Sequence, residues 1–398
     1  MSTPRERVLS FTPIETTPLP RPLHRFGTAF PPEVAATFAS AYAPEHGVVL
    51  DPLAYPWSAA DAAERASRRG VARSREPLGE WARGVIAAAP SSEDILAAFD
   101  RVAESALSGT PHRVAMRELY GSRCATCRGP VVVEAFLWER DAPVPAKKAF
   151  RCSICARDGR ALLIEPVDHD DEERTRRLEP RGMAYWQLVE RFGKEPAAQA
   201  LGESVAGLYS PRNVTALVAT LRAIETAVDG APHAQAVLRL CLLESIVSGS
   251  RLNAVAGHGA PLRIDKGRAR RSQAAQTREI NIWLEYERTV REIVTWLSRR
   301  EGNPPRAAAS GDESPADLVL CQAPVEDPLG GWATVGGAVL LGAKTLRAVD
   351  SGEGRLAGRE RILRQMRAAL IDAHRGSKPG TAAVIYVPHA DTGALAAT

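Results

Sequence analysis

No uninterrupted apolar run in this sequence approaches the length of a membrane span, and the opening residues, Met1-Ser-Thr-Pro-Arg-Glu-Arg7, lack the apolar core of a secretory signal. Both absences lead to the expectation of a cytoplasmic protein with no membrane partner. The eight histidines are scattered, among them His112, His169, His233, His258 and His374, and none pairs at metal-ligand spacing. Each reads as a surface or satisfied core residue. Internal repeats are missing too. Neither sign of charge dominates: 51 Lys and Arg against 47 Asp and Glu leave a net charge of +4. Such a balance permits nucleic-acid binding without demanding it. Cysteine is sparse, at six residues, and its pairing, with nothing else to suggest secretion, fits metal binding in a reducing compartment better than disulfides.

What is present is ordinary globular material, 398 residues with 45% hydrophobic and 25% charged, enough for a sizeable core and two or three domains. Four of the cysteines form two pairs, Cys124-Ala-Thr-Cys127 and Cys152-Ser-Ile-Cys155, separated by enough chain for a β-hairpin. A Cys-x-x-Cys turn presents two thiols from one knuckle, and a second knuckle completes the four soft ligands of a tetrahedral zinc ion. The basic neighbours Arg123, Arg128 and Arg151 suit thiolate charge. With every ligand position filled by protein, the zinc is expected to be structural. Cys241 sits in an apolar helical stretch and reads as core. Cys321 has no general base in view.

Along the chain, residues 1–23 form a proline-rich arm. Gly47 to Asp51 reads as a buried strand, Ser58 to Arg69 as a helix, Gly70 to Ser74 as a second strand and Leu78 to Ala89 as a second helix. That alternation opens a doubly wound α/β sheet. Another helix covers about 92–107, and the cysteine region contains the β-prone run Val131 to Trp138. Asp168 to Arg181 reads as a charged linker in which the acids His169-Asp-Asp-Glu-Glu173 are solvated. Residues 183–300 read as mostly helical, clearest at Val214–Ala227, Ala234–Val247 and Ile280–Arg300, with Trp186, Trp283 and Trp296 at core positions. Between the last two helices, Asn253 to Thr277 reads as a mobile, Gly-rich, basic stretch. Its centre, Lys266 to Arg271 with Arg263 and Arg278 beside it, is either a phosphate track or a solvated loop. After a Pro/Ala/Ser/Gly linker at 302–315, αβ character returns: strand Asp317–Leu320, helices 334–347 and 358–374, strand Ala382–Val387.

Several segments, in order, resemble the zinc-ribbon "DNA methylase" members of the S-adenosylmethionine-dependent, amino-methylating bacterial DNA methyltransferases. His24-Arg-Phe-Gly-Thr-Ala-Phe-Pro-Pro-Glu33 resembles the family's opening His-Pro-Tyr-x-x-Lys-Phe-Pro-Pro-Glu element, and Val48-Val-Leu-Asp-Pro52 its first strand and cofactor loop. The cysteine ribbon, Leu208-Tyr-Ser-Pro-Arg-Asn213, Ser250-Arg-Leu-Asn253 and Arg278-Glu-Ile-Asn281 follow in the family's order. Asp317-Leu-Val-Leu-Cys-Gln-Ala-Pro-Val325 falls where the catalytic Asp-Pro-Pro-Tyr belongs. The resemblance implies a class I methyltransferase-like (Rossmann-like) α/β sheet with an inserted zinc ribbon and helical domain. The expected divisions are an arm (1–23), a first methyltransferase-like α/β segment (24–114) and a zinc ribbon (115–167). A helical, target-recognition-like insertion (168–301), a linker (302–315) and a second α/β segment (316–398) complete them. By the same resemblance, Phe30, Pro31, Asp51 and Glu76 border or hold S-adenosylmethionine, and Gln322 and Pro324 occupy the catalytic motif.

The chemistry-bearing positions depart from that pattern. Tyr55 and Trp57 stand on the two glycine positions of the cofactor loop, where bulk fills the space the cofactor needs. Ser74 falls where an acid binds the ribose hydroxyls, with Glu76 two residues on. Ala29 replaces the opening lysine. Gln322-Ala-Pro-Val325 keeps an acceptor and loses the ring that stacks on a flipped base. After strand 382–387 only Pro388 to Thr398 remain, where the family's sheet has a further helix and strand hairpin, so a partner chain is expected to cover the edge. The expectation is a DNA methyltransferase-family protein without catalysis, acting as a DNA- or partner-binding subunit, with an active methyltransferase homologue as a natural partner. The alternative is an active N6-adenine or N4-cytosine DNA methyltransferase with divergent motifs.

Overall fold

The computed structural model describes residues 19–27, 30–54, 58–73, 76–155, 161–255, 262–270, 274–299, 314–323, 329–346 and 358–386. Ala29, Tyr55, Pro56, Trp57, Ser74, Arg271, Pro324, Val325, most of the 302–315 linker and the arm before residue 19 lie outside them.

A 3-10 helix over Leu23–Phe26 precedes α1 (Pro32–Tyr42), where Pro31 caps and Pro32 occupies the first turn, a place where a missing N–H is harmless. β1 (Val48–Asp51) is buried throughout. A 3-10 helix over Ala59–Ala66 follows, opened by a reciprocal capping box between Ser58 and Asp61. Next come β2 (Arg69–Ala72), α2 (Pro77–Ala87) and α3 (Ser92–Glu104), then the small antiparallel pair β3 (Ala106–Leu107) and β4 (Thr110–Pro111), and α4 (His112–Leu119). The cysteine region supplies β5 (Gly121–Arg123), β6 (Pro130–Glu139), β7 (Lys147–Phe150) and β8 (Leu163–Pro166). Helices α5 (His169–Arg177), α6 (Met183–Glu190), α7 (Pro196–Ala206), α8 (Pro211–Ala227) and α9 (Pro232–Ser248) follow. β9 (Arg263–Asp265) and β10 (Arg268–Arg270) form a hairpin before β11 (Gln276–Ile280) and α10 (Ile282–Ser298). The chain closes with β12 (Ala316–Gln322), α11 (Gly331–Leu341), α12 (Gly358–Arg375) and β13 (Ser377–Tyr386).

These elements make a mixed α/β protein around a parallel sheet of order β13-β12-β1-β2. Leu50 of β1 is level with Val319 of β12 on one side and Val71 of β2 on the other. Asp317 fastens the centre, accepting from the Val48 N–H at 2.9 Å and from Lys378 Nζ at 2.7 Å. One face packs Val49, Leu318 and Leu320 on Ala35 and Ala39 of α1 and Ala59 and Ala63 of the 3-10 helix. On the other face Val48, Leu50 and Val319 meet Ala373 of α12. Strands covered on both faces read as continuous apolar runs, which is why β1 is visible in the sequence. Chain order runs from β1 outward to β2 on one side and from β12 outward to β13 on the other. The switch point, where such sheets place a ligand crevice, therefore lies at the C-terminal ends of β1 and β12.

Gly70 sets how closely the 3-10 helix sits on this sheet. A Cβ there would stand 2.1 Å from the Ala60 carbonyl oxygen. Gly70→Ala must push backbone from backbone, an overpacking expected to cost about 1–3 kcal/mol. A lower urea midpoint with an unchanged m-value would register it; an unchanged midpoint would contradict the packing.

A larger core joins α2, α3, α4, α6, α8, α9, α10 and α11. Trp283 stacks on Phe99 at 5.6 Å and takes the edge of His112 at 5.2 Å. His112 Nε2 lies 3.2 Å from Thr220 Oγ1, and burial pushes the imidazole down to about 4, so it is neutral core. Trp296 is also buried, but Trp186 is 41% exposed, and its neighbour Tyr185 turns inward instead. From residue 19 onward the arm belongs to this core. Leu23 and Phe26 are buried in it, and Arg21 pairs with Glu285 (2.7 Å) and Glu292 (2.6 Å).

The ribbon is antiparallel, in order β11-β6-β7-β8, with β5 on the remaining stretch of β6. The segment expected as a charged linker is instead held to it through α5. Asp168 and Asp171 form a capping box, and Asp171 is buried rather than solvated. Lys148 Nζ, also buried, donates to Asp171 at 2.7 Å, Ser122 at 2.8 Å and Asp168 at 3.1 Å. A buried ammonium persists only with such a full set of acceptors.

Candidate functional site

The four cysteines converge, each offering a sulfur, with all four sulfurs within 4.8 Å of one another. β5 delivers the first knuckle, in which the Cys124 N–H donates to Gly129 O at 3.0 Å and the Arg128 N–H to Cys124 O at 2.9 Å. Arg128 is left-handed there, with φ 60°. Gly129 keeps the second sulfur clear, since a Cβ would lie 3.3 Å from Cys127 Sγ and 3.1 Å from Ile154 Cδ1. β7 delivers the second knuckle. Across the gap, Cys124 Sγ is 3.7 Å from Cys155 Sγ and Cys127 Sγ is 3.6 Å from Cys152 Sγ. A zinc tetrahedron with bonds of about 2.3 Å has edges of about 3.8 Å. A disulfide would need about 2.05 Å. The spacing fits one tetrahedral ion shared by both knuckles.

The electrostatics agree with that fit. Backbone N–H groups of Cys155 and Ile154 donate to the Cys152 sulfur and hold its thiol down to about 7. Hydrogen bonding to Cys127, with burial, pushes Cys155 up to about 12. Thiolates this close repel, and a divalent cation is what allows all four to ionise together. Glu165 of β8 accepts the Ala125 N–H at 3.0 Å and Val131, Phe150 and Leu163 wall the site, so the knuckle loops are supported from the sheet. Of the arginines expected to balance charge, Arg151 pairs with Glu134, and Arg123 donates to the Arg128 carbonyl at 3.4 Å. The backbone amides do that work more directly.

At the switch point, Asp51 ends β1 with its carboxylate wholly buried. Oδ1 accepts from the Leu53 N–H at 3.0 Å, and Oδ2 accepts from Ser58 Oγ and the Ala59 N–H, both at 2.9 Å. Burial outweighs these bonds and pushes the group up to about 6. Glu76 caps α2, accepting from the Leu78 and Gly79 N–H groups, and burial raises it also. Gln322 ends β12 level with Tyr386 of β13. Phe30 is buried, its ring centroid 5.0 Å from that of Tyr386, and Pro31 is the cap of α1. The sequence marks Tyr386 only as an aromatic residue near the end of a strand, which does not distinguish it from core. Cys321 is buried beneath the switch point, where desolvation pushes its thiol up to about 12, in keeping with an inert residue. Cys241 is buried core.

The segments around residues 208–213, 250–253 and 278–281, far apart in sequence, meet at one buried junction. Glu279 accepts from Ser210 Oγ at 2.7 Å, Arg212 Nη1 at 3.0 Å and Trp138 Nε1. Asn213 accepts from Tyr120 OH at 2.7 Å and donates to Gly249 O at 2.8 Å. Asn281 caps α10 and donates to Val133 O at 2.9 Å, while the Arg251 N–H reaches Leu208 O and the Arg278 N–H reaches Asn253 O, both at 2.7 Å. The junction ties the ribbon strands β6 and β11 to α8, α9 and α10. Its chemistry is architectural.

Comparison of this chain with models of protein families, with curated proteins and with solved structures finds no match.

Proposed function

We propose that this chain is a methyltransferase-like protein without transfer chemistry, acting as a DNA- or partner-binding subunit stiffened by a structural zinc ion. The observation that carries this reading is where the acids that end β1 and open α2 direct their oxygens. Asp51 and Glu76, which the resemblance assigns to S-adenosylmethionine, cap the chain's own loop and helix. Both carboxylates, that of Asp51 buried and that of Glu76 partly so, already accept two or three of the chain's own bonds. Releasing these caps to meet ribose hydroxyls or a methionine ammonium would leave buried N–H groups unpaired. Tyr55 and Trp57 in place of loop glycines, and Gln322-Ala-Pro-Val325 in place of a stacking tetrapeptide, support the same reading.

The cysteine set supports retained binding. Cys124, Cys127, Cys152 and Cys155 would hold zinc with no position open to substrate, so the ion's role is to fix the ribbon. Among the described residues β13 pairs only with β12, and its outer edge suits a partner chain such as an active homologue.

Calorimetric titration of the zinc-loaded protein with S-adenosylmethionine tests the reading. No binding tighter than about 100 μM, roughly −5.5 kcal/mol, is expected. Tighter binding would overturn it in favour of an active N6-adenine or N4-cytosine methyltransferase in which Asp51 and Glu76 leave their caps.

A further inference from the structure

The hairpin β9–β10 sorts its side chains by face. Arg263 is level with Arg270, Ile264 with Ala269 and Asp265 with Arg268. Alternation along each strand therefore puts Ile264 and Ala269 on one face, and Arg263, Asp265, Arg268 and Arg270 on the other. The hairpin is anchored at its edge by backbone hydrogen bonds and through its apolar face, where Ile264 and Ala269 pack against the helical core. The Ala269 N–H donates to Ser204 Oγ of α7 at 2.8 Å, and the Gly331 N–H at the start of α11 donates to Leu262 O at 3.2 Å. Contact with α11 is close, since a Cβ on Gly331 would lie 2.8 Å from Leu262 O and 3.2 Å from Ile264 Cγ1.

The opposite face is exposed at Arg263, Arg268 and Arg270, and so is Lys266 at the tip. Asp265 pairs with Arg270 at 2.7 Å and is the one acid among these four cations. Two features of the arrangement oppose folding of the isolated chain. Arg263 and Arg270 stand directly opposite each other, and like charges so placed destabilise a hairpin. Lys266 and Gly267 both have positive φ, 50° and 70°, the pattern of a type I′ turn whose first position favours Asn, Asp or Gly. A lysine held left-handed there is disfavoured by its Cβ. A polyanion facing the hairpin offsets the first of these.

We propose that Arg263, Lys266, Arg268 and Arg270 form a contact for the phosphate backbone of nucleic acid, independent of base sequence. This deepens the DNA-binding branch of the function proposed above and rests on it. Arginines two apart on one strand, such as Arg268 and Arg270, repeat at about 6.8 Å, on the order of the separation of successive phosphates. Guanidinium forks also match phosphate oxygens bidentately. A lipid surface or an acidic protein fits less well. Among the described residues of the hairpin no large apolar side chain is exposed to enter a bilayer or anchor a protein interface.

The test is fluorescence anisotropy of the zinc-loaded full chain with a random-sequence DNA duplex across a salt series. Replacing Arg263, Arg268 and Arg270 together by Ala is expected to weaken binding at low salt at least about tenfold. The slope of log K against log salt should fall by about 2–3, at roughly 0.9 for each phosphate no longer neutralised. The triple Arg→Lys variant keeps the charges and should bind within about threefold of the native chain. Should the triple alanine variant not fold, the single variants Arg263→Ala and Arg268→Ala each carry an expected slope change of about one. Alanine variants that keep the native affinity and slope would overturn the hairpin assignment while leaving DNA binding in place. A native chain that moves no duplex at the lowest salt would overturn both, with the non-catalytic reading still judged by the S-adenosylmethionine titration. Equal affinity for polyglutamate or phosphatidylserine vesicles would overturn the choice of nucleic acid.

Discussion

Removing the metal is expected to unfold the ribbon's knuckle end and leave the rest of the chain folded. The apolar material around the knuckles is small: Val131, Phe150 and Leu163, with the cysteines themselves. So little buried surface does not offset the ordering entropy of two loops and three short strands. Structural zinc in comparable all-thiolate or mixed sites supplies about 10–16 kcal/mol at neutral pH. Elemental analysis should find one zinc per chain in the native protein and a loss of it in Cys152→Ser. After chelation, amide exchange should quicken across β5, β7 and β8. The distal half of β6 should stay protected, because β11 pairs with it from Ala135 to Glu139 and Trp138 reaches Glu279. Protons compete with the metal for thiolate, so metal affinity should weaken as pH falls. Exchange rates unchanged by chelation, or a native chain that carries no zinc, would sink the assignment.

How much of this is legible in the sequence depends on whether the deciding partner is local. The cysteine pairs are legible because spacing within each knuckle already encodes two ligands, and the structure brings the knuckles to 3.6–3.7 Å. β1, β2, α2 and α3 are legible from burial pattern and caps, to within a few residues at their ends. Helix α5 is not, because the segment is charged throughout and its burial depends on Lys148, which arrives from β7. The hairpin β9–β10 is hidden by its short strands and by a Lys-Gly turn in place of the commoner Asn-Gly. Asp51 and Glu76 are located by resemblance to a cofactor site, yet one local sign points elsewhere. An acid followed by proline, Glu76-Pro77, is also how a helix is capped and begun. Trp186 and Tyr185 differ by one helical position, and a coarse reading of phase cannot say which of two adjacent aromatics turns inward.

The junction between ribbon and helices makes the other large prediction. Arg212 and Glu279 pair at 3.0 Å with side chains 3% and 2% exposed. Arg212 also lies 4.1 Å above the Phe136 ring and donates to Thr175 Oγ1 at 2.9 Å. Glu279→Ala would strand a buried cation together with the Ser210 hydroxyl and the Trp138 indole N–H. Breaking one side of such a pair costs about 3–5 kcal/mol, whereas replacing both partners by apolar residues of similar volume is often neutral. The double variant Arg212→Met with Glu279→Leu should therefore be more stable than the sum of its single changes, with a coupling of at least about 1 kcal/mol in urea unfolding. Additive single changes would mean that the pair is solvated in solution. The same variants separate architecture from metal binding. The four cysteines lie around β5, β7 and the knuckles, whereas Glu279 sits on β11, which pairs with the distal half of β6, level with Phe136. Glu279→Ala should keep its zinc while the ribbon loosens against α8 and α10. Loss of the metal in that variant would show instead that the ribbon and the helices fold as one unit through this pair.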